Sequence, residues 1–203
     1  MILDSRLVLP EGSWEGFLFD CDGTLVDSMP LHGIAWNEGL RAAGAPYELT
    51  EEDFYGWGGL HEAVIIGMLN ERHACDIDPE SVIAPKAESF AKGMASLKEI
   101  VPVADFARSM HGKAKLGVVS GSPRGHVEEC LEVTGIAHLF DSIVTPEDVE
   151  LGRGKPHPDM FLLQAEQLDL VPNTCVVFED AQSGIDGAVA AGMGTVFVER
   201  DCR

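Results

Sequence analysis

Short apolar runs recur along this chain at intervals too long for hairpins. They are GFLFD (16–20), KLGVVS (115–120), FDSIVT (140–145), TCVVFED (174–180) and GTVFVE (194–199). Continuous apolar runs of this length, rather than alternating ones, are what strands buried on both faces look like in sequence. The segments between the later runs have a helical period instead: PRGHVEECLEVTG (123–135), PDMFLLQAEQLDL (158–170) and AQSGIDGAVAAGM (181–193). Gly135 and Gly192 stand where such helices stop, and Pro158 stands in a first turn. Strands alternating with helices predict an α/β fold, a Rossmann-like parallel sheet with helices on both faces.

Residues 29–100 break the rhythm. PLHGIAWNEGLRAAG (30–44), LHEAVIIGMLNERH (60–73) and PESVIAPKAESFAKGMASL (79–97) all space apolar residues for helices, with no strand among them. This pattern predicts an inserted small α-helical cap (29–100) on an α/β core built from residues 1–28 and 101–203. A chain of 203 residues is long enough for that arrangement.

Composition then narrows the partners. Lys and Arg total 14 against 34 Asp and Glu, a formal net charge of −20. Nucleic acid is therefore not an expected partner, because phosphate-backbone binding needs clustered cations. No apolar stretch reaches the length of a membrane span, and MILDSRLVLPEGSW does not read as a signal peptide. The five cysteines are far apart with no C-x-x-C pair, which fits a reducing cytoplasm. Cys21 lies between two acids that oppose thiolate formation, so it reads as a small apolar filler rather than a nucleophile. The expected assembly is a monomer or weak dimer.

The polar residues at the ends of the runs carry the candidate chemistry. GFLFD runs directly into Asp20-Cys21-Asp22-Gly23-Thr24, and buried acids need a partner or a metal. The second run ends in Ser120-Gly121-Ser122, the fourth in Glu179-Asp180, and a loop after the third holds Lys155 in GRGKPHPD. Open parallel sheets bind ligands at the carboxyl ends of their strands, so these groups converge on one edge. Each has a plainer reading alone: Asp-Gly-Thr as a turn, Lys155 as a solvated charge, Glu179-Asp180 as a helix cap. Together they supply hard oxygen ligands suited to Mg²⁺, a cation and a hydroxyl for phosphate oxygens, and two carboxylates for phosphoryl transfer. Asp20 can attack phosphorus to form an aspartyl-phosphate, and Asp22 can protonate the leaving alcohol and then activate water.

The same residues carry a family resemblance. DCDGTLVDS, VVSGS, GKPHPDMF and VVFEDAQSGIDGAVAAGM occur in the order of the four motifs of the haloacid dehalogenase-like superfamily. HGIAW and the fourth motif resemble its β-phosphoglucomutase-like branch, which includes fructose-1-phosphate and other sugar-phosphate phosphatases. The resemblance implies Asp20 as nucleophile, Asp22 as general acid and base, and Ser120, Gly121 and Lys155 as phosphate-holding residues. It implies magnesium on the carboxylate of Asp20, the main-chain carbonyl of Asp22, Asp180 and Glu179. In the cap it points to His32, Trp36, Lys86 and a loop, YGWGGLHE (55–62), containing Gly59 and His61, as substrate-binding positions.

One departure separates two activities. A mutase grips a second phosphate with a cap arginine, yet no Lys or Arg occurs between Arg41 and Arg72. The expectation is therefore Mg²⁺-dependent hydrolysis of a small phosphate monoester, a sugar phosphate. A β-phosphoglucomutase and a catalytically idle binding relative are the alternatives.

Overall fold

In a computed structural model, which describes residues 6–50, 53 and 62–202, the predicted sheet is present. Strands β1 (Gly16–Phe19), β2 (Lys115–Val119), β3 (Ser142–Val144), β4 (Cys175–Glu179) and β5 (Gly194–Phe197) are all parallel, in the order β3-β2-β1-β4-β5. The chain starts in the middle, walks outward to β3, then crosses back to β4 on the other side of β1. That reversal leaves a crevice between β1 and β4, where doubly wound sheets take their ligands.

Seven α-helices lie among the described residues: α1 (Met29–Ala42), α2 (Glu62–His73), α3 (Pro79–Gly93), α4 (Val101–Met110), α5 (Arg124–Val133), α6 (Asp159–Gln167) and α7 (Gln182–Ala190). The strands and helices are shorter than the apolar patterns that predicted them. The third helical pattern in the cap region, for example, ends as α3 at Gly93 and continues as a 3₁₀ turn, Met94–Ser96. Helix α4 was absent from the sequence reading. Its signals are Pro102 in the first turn and buried Val103, Ala104, Phe106 and Ala107, which make one apolar face in only ten residues.

The pleat divides the strands' side chains between two layers. Phe17, Phe19, Leu116, Val118, Val176 and Phe178 pack with α4 and α5, while Leu18, Val119 and Val177 pack with α6 and α7. Phe106 anchors α4 on the first layer, with its ring 5.0 Å from Phe17 and 4.9 Å from Phe178. Gly135, just past α5, has φ +74°, the left-handed conformation that ends helices.

Helices α1, α2 and α3 share a separate apolar cluster of Trp36, Leu40, Leu49, Ile65, Ile66, Leu69 and Val82. Helix α1 approaches α3 closely at Gly39. A Cβ there would meet the Val82 carbonyl oxygen at 2.6 Å and Lys86 Cβ at 3.1 Å. Gly33, in the same helix, has open space at that position.

These two glycines give a paired test. Gly33→Ala should stabilise the protein by about 0.5–1 kcal/mol through helix propensity. Gly39→Ala should destabilise it by about 1–3 kcal/mol, because backbone must move to admit the methyl. Denaturant unfolding of both variants decides; equal effects would mean α1 and α3 do not approach this closely.

Candidate active site

The strand register places the chemistry. Phe19 is aligned with Val118 and with Phe178, and the Asp20 N–H donates to the Phe178 carbonyl at 2.9 Å. The chain therefore leaves β1 with Asp20 beside Glu179, and Gly23 (φ +85°) turns it back on itself. Lys155 enters from the β3–β4 connection. Its buried ammonium donates to Asp20 Oδ1 at 2.6 Å and to Glu179 Oε2 at 2.7 Å. Asp180 completes the group, and Thr24 Oγ1 donates to its Oδ1 at 3.4 Å.

Ligand atoms of Asp20, Glu179 and Asp180 lie within 4.8 Å of one another. Burial pushes the Asp20 carboxyl up, against the pull of Lys155, with the Asp22 charge adding to the rise. Burial, then the Asp20 charge, lifts Glu179 to about 8. For Lys155 burial works the other way, but Asp20 and Glu179 outweigh it and hold the ammonium protonated. One buried cation is bonded to two of the three acids, and the donors are all hard oxygens. Such a set fits a divalent cation.

Backbone economy shows in how Glu179 is held. A Cβ on Gly184, in the first turn of α7, would lie 2.0 Å from Glu179 Oε2. The glycine lets α7 start directly over the carboxylate, whose Oε1 accepts from the Ala181 N–H at 3.1 Å.

Asp22 has different surroundings. Its Oδ1 accepts from Ser28 Oγ at 2.6 Å and faces Nε2 of both His32 and His126 at 3.1 Å, while Oδ2 accepts from Ser122 Oγ at 2.7 Å. Burial opposes its charge, but His126 and His32 overcome that and hold the carboxyl well below the usual carboxylate range. His126 meets the same contest: burial disfavours its charge, Asp22 favours it, and the result is about 10. Burial wins at His32, whose pKa falls. Asp22 is thus an ionised carboxylate paired with an imidazolium from α5 and a neutral imidazole from α1.

Residues 14–192 match the model of a protein family described as hydrolase, haloacid dehalogenase-like hydrolase. The chain belongs to this family. Among relatives of this hydrolase, fructose-1-phosphate phosphatase YqaB of Escherichia coli K12 is 35% identical over 91% of this chain and 96% of its own. A phosphorylated carbohydrates phosphatase of Thermotoga maritima is 28% identical over 90% of this chain and 84% of its own. A crystal structure of a conserved haloacid dehalogenase-like protein from Agrobacterium tumefaciens superposes with a TM-score of 0.74 at 28% identity, covering 90% of this chain and 82% of that one.

The hydrolase fold brings together Asp20, Asp22, Lys155, Glu179, Asp180 and His32. Ser120 is buried at the end of β2, where its Oγ accepts from the Ser122 N–H at 3.1 Å, and Gly121 forms the bend that follows. Lys86 is buried on α3, hydrogen-bonded to Glu62, with its Nζ 5.1 Å from the centre of the Trp36 ring. Trp36 lies in the apolar cluster shared by α1, α2 and α3, with the Lys86 ammonium over its ring. Gly59 and His61 lie outside the described residues.

Sequence reasoning missed His126 and gave Ser28 and Ser122 no individual role. The available signal for His126 was its place in the first turn of α5, the helix that opens at the carboxyl edge of the sheet. Its charge makes a pH test. Because its folded-state pKa of about 10 lies above the ordinary 6.5, the pair with Asp22 stabilises the fold fully below pH 6.5. That contribution disappears as pH rises through about 10. The stability gap between the wild type and His126→Gln should therefore be widest near pH 6 and narrow beyond pH 10; thermal unfolding across that range would reject the pairing if the gap stayed constant.

Proposed function

We propose that this hydrolase is a phosphatase for a small phosphorylated sugar, working through an aspartyl-phosphate on Asp20. The observation that carries the reading is the pairing of two acids with opposite surroundings at the switch point of the sheet. Asp20 lies against Lys155 and the acidic group, and Asp22 lies against the two histidines. The relatives named for phosphorylated sugars support the substrate class.

An Asp20 oxygen attacks phosphorus, the bond from phosphorus to the sugar oxygen breaks, and Asp22 gives that oxygen its proton. Water then attacks the aspartyl-phosphate, its proton returns to Asp22, and inorganic phosphate leaves with Asp20 regenerated. A phosphate dianion beside Asp22 raises that carboxylate's proton affinity, which suits it to the acid role. Lys155, the Ser120 hydroxyl and the Gly121 bend hold phosphate oxygens. Asp20, Glu179, Asp180 and the Asp22 main-chain carbonyl would hold Mg²⁺, which supplies charge neutralisation to the phosphoryl group when bound. The cap (29–100) supplies selectivity. A mutase grips a second phosphate with a cap arginine, and no Lys or Arg occurs between Arg41 and Arg72.

Phosphate release from phosphorylated hexoses, pentoses and polyols in Mg²⁺ tests the reading. Asp20→Asn should lower turnover by several orders of magnitude, roughly the loss seen on removing a nucleophile, and exhaustive chelation should abolish it. Fast interconversion of β-glucose 1-phosphate and glucose 6-phosphate with little phosphate released would replace the phosphatase by the mutase.

Lys86→Ala tests the cap. It should lower kcat/KM for the best sugar phosphate by ~10-fold to ~100-fold, the loss expected for one or two polar contacts. A small aryl phosphate, with no sugar hydroxyls, should be affected much less. Equal losses on both would remove the cap from substrate selection.

A further inference from the structure

A second set of ligand-type side chains converges beside the acidic group. One ligand atom each from Asp22, His32 and His126 lies within 4.8 Å of the other two. Both imidazole Nε2 atoms sit 3.1 Å from the same oxygen, Asp22 Oδ1. A tetrahedral zinc ion with bonds of about 2.0–2.1 Å has ligand–ligand edges of about 3.3–3.4 Å. Two edges of the required polyhedron therefore exist to within a few tenths of an ångström.

The donors are also held in place. Phe90 of α3 packs its ring 4.4 Å from His32 and 4.6 Å from His126, and the imidazoles lie 5.2 Å apart. Ser28 donates to that same oxygen at 2.6 Å, and Ser122 fixes Oδ2 at 2.7 Å. Hydrogen-bonded carboxylates and oriented imidazoles are what metal sites use to keep their ligands in register. Both imidazoles aim Nε2 at the one oxygen, the convergence that a shared ion needs.

We propose that Asp22, His32 and His126 form a second metal site, selective for zinc and inhibitory to hydrolysis. Zn²⁺ takes the lone pairs of both Nε2 atoms and of Asp22 Oδ1, and the proton shared by Asp22 and the histidines goes to solvent. A fourth position stays open for water. Mg²⁺, a hard ion that prefers oxygen, stays with Asp20, Glu179 and Asp180. The inhibition rests on the phosphatase reading, since Zn²⁺ occupies the carboxylate that exchanges the leaving group's proton; the binding does not.

Calorimetric titration of the protein with Zn²⁺, in saturating Mg²⁺, is the direct test. One Zn²⁺ should bind per chain, and His126→Gln and His32→Gln should each weaken it at least ~10-fold. The unmutated protein loaded with Co²⁺ gives a readout independent of variant folding: two strongly shifted imidazole N–H proton signals, one per ligating histidine. In hydrolysis of a small aryl phosphate, Zn²⁺ should inhibit without relief by a further tenfold Mg²⁺. Zinc displaced one-for-one by Mg²⁺, unchanged affinity in both folded variants, or no shifted imidazole signals would each overturn the site. If no phosphate ester is hydrolysed yet zinc binds through both histidines, the phosphatase reading fails and the metal site stands.

Discussion

The buried ammonium of Lys155 is the constraint on which the rest depends. It touches Asp20 at the end of β1 and Glu179 at the end of β4, from a segment that itself crosses between the two halves of the sheet. Without it, neighbouring acids would be buried at adjacent strand ends with no nearby positive charge, a costly arrangement at low dielectric. With it, the switch point of the sheet can close around carboxylates, and their hard oxygens suit the place to a divalent cation. Gly184 belongs to the same solution, since α7 can start over Glu179 only where no side chain intervenes.

Two acids one residue apart are treated in opposite ways. Burial raises Asp20, whereas His126 and His32 overcome burial to lower Asp22. In the ligand-free protein these directions run against the proposed roles, since a nucleophile must be ionised and an acid must carry a proton. A cation beside Asp20 and a phosphate dianion beside Asp22 act in the opposite senses. On the proposed roles, bound ligands rather than the protein alone would bring each carboxylate to its working state. Distant helices meet at this site: Asp22 is held by His32 of α1 and His126 of α5, and Phe90 of α3 packs against both rings.

The sheet and most of its helices were legible because burial on both faces forces continuous apolar runs, and a helix facing a sheet must show one apolar side. Helix α4 escaped because ten residues carry little periodic signal, and only its packing on Phe17 and Phe178 fixes it. The acids were legible for a related reason. Carboxylates at the end of an apolar strand are unfavourable without a partner, and Lys155 is the partner that Asp20 and Glu179 share.

Sequence by itself determined the layered α/β architecture, the helical pattern between the first two strands, and the placing of Asp20, Asp22, Glu179 and Asp180 just past strand ends, since each follows from local burial or period. Only the tertiary structure decided which groups surround Asp22, that Trp36 packs inside the cap beneath Lys86, and that Lys86 is joined to Glu62. Those contacts connect residues far apart in the chain, on helices whose rotation about their axes is set by packing. His126 reaches Asp22 across 104 positions of sequence. No periodicity encodes such a meeting; it exists once β1 and β2 are in register and α5 is laid against them.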